Sequence, residues 1–243
     1  MLQVSAVTLD LQYSYEHMRE FGRCASNPFH FFDNYVYVDY SRSITGDVGR
    51  IGKIILCEVQ RKAVKMLHEP NILLENDRQT GTTLILALDA LHRLIFKDAK
   101  IAFLSHQARS AAHAFEKISN TFINLPRWIK PATCKHSTSQ IILDNDSSVT
   151  ATVTNSSELR GVKWDVIYVD NAPWCNQEAL RDLLQIFPQT EFKLASTFEP
   201  SMEIPDEWYR TLETVQKGHR KFAWTSIRQH QIKSEEWANR NQK

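Results

Sequence analysis

From about residue 70 onward, short apolar runs alternate with longer stretches in which apolar positions recur every three to four residues. The short runs have strand length: NILLE (71–75), KIAFLS (100–105), SQIILD (139–144), SVTATV (148–153), DVIYVD (165–170), EFKLAST (191–197) and KFAWTSI (221–227). Between and after them the helical period predicts helices over Thr82–Phe96, Gln107–Phe122, Gln177–Phe187, Asp206–Lys217 and Ser234–Asn241. Such alternation is the pattern of an α/β fold with a largely parallel central sheet. DVIYVD and KIAFLS show no apolar-polar alternation and read as strands covered on both faces. SQIILD and SVTATV, separated by Asn145-Asp146-Ser147, read as an antiparallel hairpin.

The first third differs. It holds an aromatic run, NPFHFFDNYVYVDY, then a glycine-bearing turn region, ITGDVGRIGK, and a helix-like segment, ILCEVQRKAVKMLH. Residues 1–50 read as an N-terminal extension or lid and residues 51–243 as the main domain. For the Phe and Tyr cluster, core and lid packing is a better expectation than base stacking.

Composition narrows the function classes. Charge interrupts every apolar run well before the ~18 residues of a membrane span, and the segment MLQVSAVTLDLQ has no basic stretch followed by an apolar core, so a cytosolic protein is expected. The four cysteines stand far apart and outside any metal-ligand spacing, which favours scattered reduced thiols over structural zinc. A formal net charge of +1 argues against a strongly basic nucleic-acid coat. A local basic surface from Arg109, Lys117, Arg127, Lys130, Lys135 and His136 stays open, beside the alternative of a solvated loop around RWIKPATCKH.

The candidate chemistry sits at ENDRQTGTT (75–83), where NILLE turns into a helix. A phosphate-binding loop needs backbone N–H groups curled around phosphate oxygens, a helix N-terminus behind them, a lysine on the terminal phosphates and a Ser or Thr hydroxyl on magnesium. Gly81 and Thr83 stand at the glycine and hydroxyl positions, but Thr82 occupies the lysine position. Downstream, WDVIYVDNAPW ends its apolar run in Asp170, the place of a magnesium-coordinating aspartate, followed by Asn171 where a water-orienting glutamate would stand. Each residue also has a plain structural role open to it. The glycine suits any strand-to-helix turn, Thr83 can cap a helix, and an aspartate at the carboxyl end of a sheet strand faces the crevice by topology.

Order and spacing add a family. Gln60, DRQTGTT (77–83), LPRWIKP (125–131), NSSELRG (155–161), VIYVDNAPW (166–174) and LASTFEP (194–200) together resemble the ATPase domain of the large terminase subunit, the DNA-packaging motor of tailed bacteriophages, over roughly residues 27–240. The resemblance implies a P-loop NTPase fold of the RecA-like, additional-strand type. It implies that Gln60 contacts the adenine, that Arg78 senses the γ-phosphate, and that Gln79, Thr80, Gly81 and Thr82 line the phosphates. Thr83 and Asp170 would hold magnesium, Arg160 and Gly161 would form the turn before the Asp170 strand, and Ser196 and Thr197 would be the motif coupling hydrolysis to movement. The implied partners are a portal ring, terminase subunits or double-stranded DNA, in a ring or homo-oligomer in the cytoplasm of an infected bacterium.

Two departures fall on the residues whose chemistry is hardest to replace. Without the lysine the β/γ-phosphates lose a full positive charge, and without the glutamate water loses its carboxylate, since asparagine accepts no proton. The expectation is therefore a degenerate nucleotide site with no assigned catalytic residue, at most weak Mg-ATP binding and little turnover, in a protein that works through protein or DNA binding. A divergent but active ATPase is the alternative, with Lys53, Lys62, Lys163 or a neighbouring subunit supplying the missing cation. A nucleic-acid-binding α/β module unrelated to motors is a third. The chain stops at Lys243, where packaging motors continue into a nuclease domain, so no nuclease domain is expected.

Overall fold

The computed structural model describes residues 14–39, 51–198, 203–217 and 221–232. The strands are β1 (Tyr37–Asp39), β2 (Ile51–Lys53), β3 (Asn71–Asp77), β4 (Lys100–Ser105), β5 (Thr133–His136), β6 (Gln140–Leu143), β7 (Ser148–Val153), β8 (Val166–Asp170), β9 (Glu191–Phe198) and β10 (Ala223–Ile227). The α-helices are α1 (Tyr15–Ser26), α2 (Pro28–Tyr35), α3 (Glu58–Met66), α4 (Thr82–Phe96), α5 (Ala108–Asn124), α6 (Gln177–Ile186) and α7 (Asp206–Lys217). The expected helix Ser234–Asn241 lies outside the described residues.

Eight strands form one sheet in the order β10-β3-β9-β8-β4-β7-β6-β5, while β1 and β2 pair separately. From β10 to β7 every pairing is parallel, and β6 and β5 close one side antiparallel. β9 is inserted between β3, which leads into the glycine loop, and β8, which ends in Asp170. This is the additional-strand arrangement. It brings the carboxyl ends of β3, β9, β8 and β4 to one rim, where an open α/β sheet places its ligand crevice.

Both faces of the sheet are covered, and the expected double-sided burial follows. Every residue of β8 is buried, and all of β4 except Lys100. The expected hairpin is present, its turn passing through Asp146 at φ 63°. The buried Ser147 hydroxyl donates to the Leu94 carbonyl at 2.8 Å, which ties the turn to α4.

The expected loop around RWIKPATCKH holds over residues 127–132, and its last four residues form β5. These four residues are exposed and polar, so they carry no apolar alternation, and antiparallel pairing with β6 alone holds them in a strand with an irregularity between Thr133 and Lys135.

On one face α4 is apolar almost all the way round, because it is buried beneath other helices as well as on the sheet. The aromatic run supplies part of that cover. Asn27 caps α2 by accepting from the Phe29 and His30 N–H groups, and Pro28 occupies the first turn, where a missing N–H costs nothing. Phe31 and Phe32 are thereby driven fully into the core against His92, with Phe31 also meeting Phe96, as core packing requires. Residues of α1 and α2 share one hydrophobic cluster with α4 and α5. The opposite face is closed by α6 and α7 around Trp164, Leu180, Phe192 and Trp208.

Candidate functional site

The loop between β3 and α4 is shaped by two left-handed residues, Gln79 at φ 61° and Gly81 at φ 78°. Gly81 suits this position for a second reason: a Cβ there would sit 2.9 Å from Gln60 Nε2. Gln60, on the third residue of α3, fastens the loop from outside. Its Nε2 donates to the Thr80 carbonyl at 3.0 Å and its Oε1 accepts from the Cys57 N–H at 3.0 Å. The structure thus brings Gln60 to the loop, with both ends of its amide engaged by backbone.

Inside the loop the hydroxyls form a relay. Thr80 Oγ1 donates to the Asp77 carbonyl at 2.9 Å and lies 3.0 Å from Thr82 Oγ1. A hydroxyl has one proton, so with that of Thr80 committed to Asp77, Thr82 must be the donor to Thr80. Thr82 is 5% exposed. The residue at the lysine position therefore points its only side-chain donor inward.

Thr83 behaves differently. Its hydroxyl donates to Asp170 Oδ2 at 2.7 Å, joining the first turn of α4 to the end of β8. Asp170 is buried, and burial pushes its carboxyl up from the ordinary range. Opposing this are the Thr83 hydroxyl, the Asn171 backbone N–H, and the nearby His106 and Lys117 side chains. Asn171 is left-handed at φ 57°, a conformation asparagine tolerates far better than glutamate, and its carbonyl accepts from the Trp174 N–H at 3.0 Å. The local backbone thus suits the residue present.

The remaining expected residues distribute as follows. Arg78 and Gln79 are exposed on the loop. Ser196 is buried beside Glu75 in register, and the Thr197 hydroxyl accepts from Asn76 Nδ2 at 3.2 Å, so the end of β9 is bonded to the strand that feeds the loop. Arg160 and Gly161 follow a short 3-10 helix (Ser157–Leu159), Arg160 exposed and Gly161 left-handed.

Sequence reasoning missed two features of this rim. Asn76 is buried with its Oδ1 unbonded directly below the loop. Arg228, after β10, reaches Asp77 Oδ1 at 3.1 Å and Glu75 Oε2 at 3.5 Å, while the Gln229 N–H donates to Asp77 Oδ2 at 2.9 Å. The apolar-polar pattern carries no signal for either, because both depend on pairing across the sheet.

In front of Thr83 and Asp170 opens a cleft of about 680 Å3. One wall carries Thr83, Asp170 and Asn171, and the other is a stripe of α5 with Arg109, His113 and Glu116. Lys53, Lys62 and Lys163 are not among the cleft's lining residues, and Lys62 is ion-paired with Glu58 at 3.0 Å. Of the basic group expected around RWIKPATCKH, Arg109 and Lys130 stand at opposite ends of α5. Arg109 lies at its start, whereas Lys130 sits just past its end with Nζ bonded to the Ile123 carbonyl, roughly 20 Å away at 1.5 Å per residue.

A hydroxyl and a buried carboxylate in contact are a hard-oxygen pair of the kind magnesium takes, which fits the group that the loop geometry calls for. Comparison with known proteins bears on the family and the fold. Residues 74–236 match the family described as terminase large subunit, T4likevirus-type, N-terminal. Among solved structures, the ATPase domain of the large terminase of Thermus phage P74-26, in a point-mutant form, superposes with a TM-score of 0.51 at 13% identity, covering 72% of this chain and 81% of that one. The large terminase of bacteriophage HK97 gives 0.57 at 10% identity, covering 79% and 42%, and that of a thermophilic bacteriophage gives 0.53 at 9%, covering 72% and 46%. The chain thus spans less than half the length of the latter two. Their shared P-loop NTPase fold accounts for the sheet order and for the loop's place on it.

Proposed function

The chain belongs to the terminase large-subunit family, matching its N-terminal domain, and from that premise we propose that it is a terminase-like protein with a degenerate nucleotide site. It binds Mg-ATP weakly, turns it over little, and acts through a surface that meets packaging components, a portal ring, terminase subunits or double-stranded DNA, in the infected cell. The observation that carries this is the Thr82 hydroxyl, whose one proton is directed to Thr80 and whose side chain offers no charge to a phosphate.

Thr83 and Asp170 are the residues that would hold magnesium, and the metal would supply charge neutralisation between the phosphate oxygens. The protein's own contribution is to bind and orient. The loop N–H groups and the start of α4 favour an anion, and Gln60 holds the loop backbone in place. Neither Thr82 nor Asn171 can take up the proton of an attacking water at neutral pH. Among the described residues, no helix is long and apolar enough to cross a membrane.

The intact Thr83–Asp170 contact favours one second reading, a divergent but active ATPase. Calorimetric titration with magnesium and a non-hydrolysable ATP analogue, paired with a phosphate-release assay, separates the two. The proposed function expects a dissociation constant near ~1 mM and turnover at background. Micromolar affinity with DNA-stimulated phosphate release would establish the active motor in its place. Thr82→Lys is expected to tighten binding by ~10-fold or more, a charge-assisted contact being worth at least ~1.4 kcal/mol.

A further inference from the structure

We propose that Arg109 of α5 is the phosphate-binding cation of this cleft, standing in from the opposite wall for the charge that position 82 lacks. The inference rests on the weak Mg-nucleotide site proposed above and names the residue that confers its remaining affinity.

Helical spacing brings Arg109, His113 and Glu116 to one stripe of α5, and that stripe faces Thr83, Asp170 and Asn171 across the cleft. The register of the sheet sets the distance. β4, which leads into α5, pairs directly with β8, and Ser105 at its end lies opposite Asp170 and donates to the Asp170 carbonyl at 3.2 Å. α5 therefore starts only a few residues from the magnesium pair.

The charge around the cleft agrees. His106 and Lys117, both on the segment that carries Arg109, favour the ionised Asp170 carboxyl, so this segment adds positive potential at the cleft beside the exposed Arg78 of the loop. A wall with a hydroxyl-carboxylate pair for a divalent cation, facing a guanidinium, matches a magnesium-bound polyphosphate. Arg109 suits it better than lysine would, because a planar fork spans two phosphate oxygens from a distance. Single-stranded or duplex DNA would engage a cation row without needing the Thr83–Asp170 pair, and the ligand assigned here is the triphosphate tail of a nucleotide.

The test is titration of the full chain with magnesium and the non-hydrolysable ATP analogue, comparing the parent with Arg109→Ala, Arg109→Lys, Thr82→Lys and the double variant. Lys217→Ala on α7, whose side chain pairs only with Glu213 at 4.0 Å among the contacts on its helix, serves as the charge control. Arg109→Ala is expected to weaken binding at least ~10-fold and Arg109→Lys by less, with Lys217→Ala within ~2-fold of the parent. Thr82→Lys is expected to make affinity largely independent of residue 109, since one cation replaces the other.

Three results would each overturn the assignment. One is equal binding by Arg109→Ala and the parent. Another is a loss that persists unchanged on the Thr82→Lys background. The last is undetectable binding by the parent, which would leave the degenerate-site reading standing with no residual phosphate contact to assign. Tight binding with turnover in the parent and in Arg109→Ala would instead sink the degenerate-site reading. A loss of duplex DNA binding in Arg109→Ala with nucleotide affinity unchanged would reassign the residue to DNA.

Discussion

Asp170 at the carboxyl rim of the parallel sheet and the Asp89–Glu191 network at the amino rim handle charge in opposite ways, although Arg228 also locks Asp77 and Glu75 at the carboxyl rim. Asp170 is held by one neutral hydroxyl and a backbone N–H, with Arg109 across an open cleft. At the amino rim the charges are locked together. Arg93 reaches Asp89 at 3.1 Å and Glu191 at 2.8 Å and donates to the Leu67 carbonyl, Lys193 pairs with Glu191 at 3.0 Å and donates to the Glu69 carbonyl, and Tyr168 donates to Asp89. Lys193 is completely buried, and burial pulls its ammonium down, opposed by Glu191. One rim spends its polar groups on holding the sheet and helices together, and the other keeps a buried carboxylate in a contact that a ligand can replace. The lesson is that burial of a charged group does not identify a site. What distinguishes the rims is whether the partners are permanent.

That difference sets the order of expected effects. Arg93→Ala should be the most damaging change, since it leaves Asp89 buried without its cation. A loss of about 3–5 kcal/mol is expected in chemical denaturation, with nucleotide binding by the surviving folded fraction unchanged. Less than ~1 kcal/mol would mean the network is solvated and the contrast between the rims is false.

Asp170→Asn should act in the other direction. Burial raises the Asp170 pKa, so the folded state favours the neutral acid, and its contribution to stability is present in acid and is lost as pH rises through the raised value. Asparagine stays neutral and can still accept from Thr83. The variant should therefore match the parent in acid and exceed it in thermal stability near pH 7, while losing any stabilisation by magnesium with nucleotide. A variant less stable than the parent at pH 7 would show that the ionised carboxylate is compensated as fully as Asp89.

The smallest expected effect concerns thiols. Burial pushes Cys24 and Cys175 up to about 12, so neither forms thiolate at neutral pH, whereas Cys134 is exposed on β5. Alkylation of the native protein followed by mass spectrometry should label Cys134 first and leave Cys24 and Cys175 unmodified. Early labelling of Cys175, which sits in the segment after Asn171, would mean that the carboxyl rim opens in solution while the amino rim stays closed.

Much of this architecture is legible in the chain alone. The limits of α4 and α7 and of β4 and β7 coincide with the periodic segments, because continuous burial forces apolar residues into those spacings. The glycine loop, Thr83 and Asp170 are equally local, each a residue type at a strand end where the backbone needs it. The helix α2 was hidden inside an aromatic run whose only local signals are the Asn27 cap and Pro28, and β5 has no apolar pattern because its edge faces solvent.

What tertiary structure alone decided is which of these residues meet. The resemblance carried the insertion of β9 between β3 and β8, but nothing in the order of residues says that the proton of Thr82 goes to Thr80, or that Arg109 faces Asp170 while Lys130 ends a helix length away. Periodicity reports whether a position is covered, since burial is a property each segment must satisfy by itself. Pairing across a sheet is set by the packing of all the layers at once, and it is pairing that distinguishes a locked charge from one placed to receive a ligand.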